Sequence, residues 1–63
     1  MEYVVACGRY RFFYGFSNGV PQFTTRIEYA MRFDYEEMAQ HVAKRCHKYS
    51  GRNYKVVSLD EEE

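Results

Sequence analysis

One stretch limits the folds open to this chain. Tyr35, Met38, Ala39, Val42, Ala43, Cys46 and Tyr49 recur at i, i+3, i+4 spacing, with polar and charged residues between them. The pattern predicts one amphipathic helix over 35–49. Asp34 is placed as its N-cap, with Glu37 three residues later in capping-box position, and Phe33 and Met38 hold the two positions of a hydrophobic staple. Acids occupy the first turn and bases the last, which suits the helix dipole. Gly51 follows the last periodic residue as the natural stop.

The remaining apolar segments read as extended. Glu2–Cys7 is a strand by residue type, Gly8-Arg9 a tight turn, and the second strand continues to about Phe16. Ser17-Asn18-Gly19 marks a turn that accepts positive φ. Phe23–Arg26 is a candidate short third strand. Pro21 lacks a ladder donor, which puts Val20-Pro21 in a loop or at a sheet edge. A turn is expected at 26–29, then an extended Met31–Phe33, and Asn53–Leu59 closes the chain as a strand.

A lone helix must bury its stripe on a sheet. The expected fold class is therefore α+β: a small antiparallel-rich sheet of three or four strands packed on one helix, in the order β-β-(β)-α-β, the last strand beside the first. Residues 1–59 form a single domain and 60–63 an acidic tail. A 63-residue chain buries only about 60% of its unfolded surface, so the core is thin.

The segment Tyr10-Arg11-Phe12-Phe13-Tyr14-Gly15-Phe16 holds five of the chain's twelve aromatic rings. As a regular strand it sends Tyr10, Phe12, Tyr14 and Phe16 to one face and Arg11, Phe13 and Gly15 to the other. One helix covers one face, so an aromatic surface is expected to remain for a partner or a second copy. Arg11, Phe13 and Tyr14, with Arg9 at the rim, are the partner-binding candidates, because Tyr, Phe and Arg are residue types of interface hot spots.

Formal charge is zero, yet four of the nine acids are the terminal Asp60-Glu61-Glu62-Glu63. Residues 1–59 carry nine Lys and Arg against five Asp and Glu, 9 − 5 = +4. Lys44, Arg45, Lys48, Arg52 and Lys55 cluster near the helix end and last strand. With the sheet aromatics they form an alternative patch for single-stranded nucleic acid. Zero net charge weakens the electrostatics on which such binding depends.

The patterns of enzymes are missing from the sequence. His41 and His47 lie six residues apart, about 240° around a helix, so they do not share a metal. Both read as surface residues. Cys7 and Cys46 read as small buried hydrophobes with reduced thiols. The four glycines have no phosphate-loop spacing. No catalytic residue, metal, cofactor or small-molecule substrate is expected. No apolar run is long enough to span a membrane, and the chain reads as intracellular.

Phe23-Thr24-Thr25, Ala30-x-x-Phe33-Asp34, the helical Glu37 and Ala39, and Tyr54-x-Val56-Val57 after a hairpin together resemble many small proteins encoded by bacteriophages and prophages. The resemblance implies a non-enzymatic protein that binds and inhibits a host protein, defence systems such as CRISPR nucleases included, in the cytoplasm of a bacterial host. The shared positions are structural, so it assigns no site residue. A homodimer fits the thin core, and a structural subunit of a larger assembly, such as a virion, is the third reading.

Overall fold

The computed structural model describes residues 2–59. Four strands, β1 (Tyr3–Cys7), β2 (Arg11–Ser17), β3 (Val20–Thr24) and β4 (Lys55–Ser58), form one antiparallel sheet in the order β3-β2-β1-β4. One helix, α1 (Glu36–Ser50), packs chiefly on β1 and β4. The class is the α+β fold that the periodicities predict, and β4 returns beside β1.

β1 is central, and its adjacent Val4 and Val5 are both fully buried. Alternation puts Val5 towards α1 and Val4 on the other face, so both sides of this strand are covered. Val5, Phe13, Phe33, Ala39 and Cys46 form the core under the helix. Each large apolar side chain so buried contributes about 1.5–3 kcal/mol.

The Asn18-Gly19 turn has φ of 52° and 80° and joins Ser17 to its pair Val20. Positive φ at both central residues matches strand twist in a two-residue hairpin, hence the Asn-Gly pair. The third strand starts at Val20, earlier than the residue types alone indicate. Pro21 fits because β3 is an edge strand, where a missing N–H costs no ladder bond.

β2 departs from simple alternation. Phe13 pairs with Phe23, but Gly15 pairs with Gln22 and Phe16 with Pro21, so the register shifts at Tyr14. This bulge inserts one residue and returns Phe16 to Phe13's face. The expected grouping of Phe16 with Phe12 and Tyr14 is thereby corrected.

After a 3-10 turn at Ile27–Tyr29, the chain enters the gap where β1 and β2 diverge. The Met31 N–H donates to the Phe13 carbonyl at 3.0 Å, and Tyr3 and Phe33 exchange two bonds of 2.9 Å. This pairing holds Phe33 extended, so the helix starts later than Asp34 would have it. Tyr35 is the N-cap, and no side chain caps the helix. The capping box therefore does not form. Phe33 is buried and Met38 exposed, and both line one apolar dimple.

The apolar stripe is only partly used. Ala39 and Cys46 are buried and Val42 and Ala43 half-buried, but Tyr35, Met38 and Tyr49 are exposed. Length explains this. Fifteen helical residues span about 22 Å, and the strands beneath, of four and five residues, span about 13–17 Å. The helix is thus longer than the two strands on which it chiefly packs.

Candidate functional site

The hairpin candidates separate. Phe13 is 1% exposed and contacts Phe16, Phe23 and Phe33 at ring distances of 4.9, 6.2 and 6.4 Å. It belongs to the core and offers no surface contact. Tyr14, the bulged residue, is exposed, as is Arg9 in the β1–β2 turn. Arg11 pairs with Cys7 on the helix-facing side. There it joins Arg52 around a small depression with Phe23 and Tyr54.

The basic candidates also separate. Arg45 and Lys48 line a groove of ≈ 480 Å³ with Phe16, Gly19, His41 and Tyr49. The Arg45 guanidinium carbon lies 5.7 Å from the centroid of the Phe16 ring, within cation–π range. Lys44 lies in an adjoining groove with Ala43, His47, Asn53 and Tyr54, and Lys48 lines both grooves. Lys55 pairs with Ala6, which alternation sets on the face turned from the helix. One surface thus holds Arg45 and Lys48, and Lys55 is not part of it.

Among the described residues, the first groove is lined without a carboxylate. All five described acids, Glu2, Glu28, Asp34, Glu36 and Glu37, precede Met38 in sequence. The ion pairs Arg26–Glu28 (3.5 Å) and Arg32–Glu2 (3.8 Å) involve no member of the basic cluster. The helix is polarised, with acids at its start and bases from Lys44 onward.

Residues beyond α1 are tied to its last turn. The Ser50 Oγ and the Tyr54 hydroxyl are 2.7 Å apart, and the Ser50 hydroxyl also donates to the Cys46 carbonyl at 3.1 Å. His47 Nδ1 lies 2.8 Å from the Arg52 carbonyl. A carbonyl only accepts, so Nδ1 carries the proton. Tyr54 stacks on Phe23 at 5.6 Å, which anchors this end of the site.

Cys46 is fully buried and Cys7 half-buried; both are free. Burial pushes the Cys46 thiol up from its ordinary value, and neighbouring Cys7 adds to the effect against the opposing pull of Arg45. A protonated, enclosed thiol is a poor nucleophile. Among the described residues no cluster of three His, Cys, Asp or Glu is placed to hold a metal ion, and no helix is long and apolar enough to cross a membrane.

Phe16, His41 and Tyr49 are site residues that the sequence reading did not select. Part of the signal is present in the helix: His41, Arg45, Lys48 and Tyr49 stand at i, i+4, i+7 and i+8 and share one flank. Phe16 has no such signal, because the bulge decides its face. No family model, curated protein or solved structure matches this chain.

Proposed function

We propose that this chain is a non-enzymatic binding module that docks on an acidic surface of a larger protein. The supporting observation is the groove between the hairpin and α1, where Phe16, Tyr49, Arg45, Lys48 and His41 present rings and positive charge with no carboxylate among them. Resting on Phe16, the Arg45 guanidinium is held towards an incoming carboxylate and loses less freedom when it binds one. The whole chain is formally neutral, so the attraction for an acidic partner is local, from Arg45 and Lys48 at the groove. The likeness to phage proteins extends the proposal: the partner is a protein of a bacterial host, a defence nuclease being one candidate, met in the cytoplasm.

Single-stranded nucleic acid is the second reading, because a ring flanked by cations also suits base stacking and phosphate. The geometry favours protein. Arg45 already occupies one face of the Phe16 ring, so a base stacking on that face must first displace the guanidinium.

Affinity capture from host lysate, using the wild type and folded R45E/K48E and Tyr49→Ser variants, tests the proposal. Capture of one discrete protein should be lost in both variants and weaken with salt. Capture unaffected by these changes overturns the site. Salt-sensitive, micromolar binding of labelled oligonucleotides, lost in the same variants, replaces the protein reading with the second one.

A further inference from the structure

The groove of Arg45 and Lys48 has a neighbour. Phe33, Glu37, Met38, His41 and Val42 line a dimple of ≈ 250 Å³, and His41 lines the groove as well. The dimple's lining is almost wholly apolar. Phe33 is buried there, but Met38 is 53% exposed, so apolar surface is left facing water at this point. An apolar cavity of about 150 Å³ takes up benzene, so the dimple has room for one large apolar side chain.

Helix geometry joins the two depressions. At about 3.6 residues per turn, Met38, His41, Val42, Arg45, Lys48 and Tyr49 fall within a sector of about 120°. Ala39 and Cys46, which belong to the core, lie outside it. Met38 and Arg45 are two turns apart, about 10 Å along the axis. Charge along this flank is ordered. Glu37 lines the dimple, whereas Arg45 and Lys48 line the groove, where no described carboxylate stands. An acid is repelled at the first and attracted at the second.

We propose that dimple and groove form one track, and that it takes a peptide segment carrying a large apolar side chain about 10 Å from an acid. The apolar side chain fills the dimple against Phe33, Met38 and Val42, and the carboxylate meets Arg45 and Lys48. The segment belongs to the acidic partner proposed above, on which this site depends, and the dimple adds a second anchor to it. Charge alone attracts any acidic surface; two anchors of different chemistry at a fixed distance select among them. Glu37 sets the direction, since the acid must lie towards Lys48. The flexible thioether of Met38 lets the dimple shape itself to an aliphatic or an aromatic side chain.

A displayed library of random dodecapeptides, selected on the wild-type protein, tests the track. The selected sequences should share an acid and a large apolar residue at one fixed spacing. Synthesised and measured by fluorescence anisotropy, they should bind Met38→Gln roughly tenfold more weakly, through lost apolar contact, with their salt dependence kept. R45E/K48E should also weaken binding and should remove the salt dependence. Replacing the peptide's apolar residue by alanine should make Met38→Gln silent, because the two groups then share no contact. The protein variants change only exposed side chains and should match the wild type by circular dichroism. Binding that responds to R45E/K48E but not to Met38→Gln, or an acid selected without an apolar residue, overturns the track and leaves the acidic partner standing. A response to Met38→Gln alone overturns both. Selection of no peptide overturns the track, while capture from lysate still decides the acidic partner. A wild-type mass that rises with concentration, and does not rise in Met38→Gln, makes a second copy the occupant and overturns the peptide.

Discussion

Phe13 and Phe16 stand on the same face of the sheet, their ring centroids 4.9 Å apart, although three positions separate them in a strand. The bulge at Tyr14 makes this possible. It gives the rings different duties: Phe13 is enclosed by Phe23 and Phe33, and Phe16 is half open beneath Arg45.

The division predicts unequal mutational costs. Phe13→Ala should lose about 3–5 kcal/mol, as for other buried phenylalanines, enough to unfold much of a domain this small. Tyr14→Ser, at an exposed position, should stay within about 1 kcal/mol of the wild type. Urea denaturation followed by circular dichroism checks both. Equal losses would show Tyr14 to be core as well.

The buried thiol predicts a pH dependence. Burial and Cys7 raise the folded-state pKa of Cys46 above its unfolded value. The unfolded chain therefore releases this proton first as pH rises. The contribution is fully present below the ordinary thiol pKa of about 8.5 and is lost as pH climbs through the folded value. Wild-type stability should fall more steeply than that of Cys46→Ala above that pH, seen as a narrowing gap between their urea midpoints. Under native conditions Ellman's reagent should label Cys7 first and reach Cys46 only on unfolding.

The helix end predicts a backbone cost. Gly51 has φ of 78°, its N–H donates to the His47 carbonyl at 2.7 Å, and a Cβ there would meet nothing within 4 Å. Gly51→Ala should thus be destabilising by about 1 kcal/mol through the left-handed conformation alone. Gly51→Asn should cost less, because asparagine tolerates that region. Thermal unfolding of the two variants provides the comparison.

Local chemistry made much of this fold legible. The helix, its glycine stop, the Asn-Gly hairpin, the turn near 26–29 and the extended run to Phe33 follow from periodicity and turn residues. The helix start was misread at Asp34, because its capping pattern is a local preference, and the non-local Tyr3–Phe33 bonds outweigh it. Part of the candidate site was legible too. Arg45 and Lys48 stand out as charges, but their joining with Phe16 and Tyr49 depends on how α1 crosses the sheet.

The sequence by itself determined the α+β class, the single helix, the turn positions and the polarity of charge along α1. These rest on period, on φ preferences and on the side chains carried, all of which act over a few residues. Tertiary structure alone decided that Phe13 is core, that Phe16 lies under a guanidinium, and that Met38 and Tyr49 of the helix stay in water. Those outcomes depend on a register shift between β2 and β3 and on a helix longer than the strands beneath it. Both are relations between segments, set by ladder bonds and relative length, which no local pattern encodes.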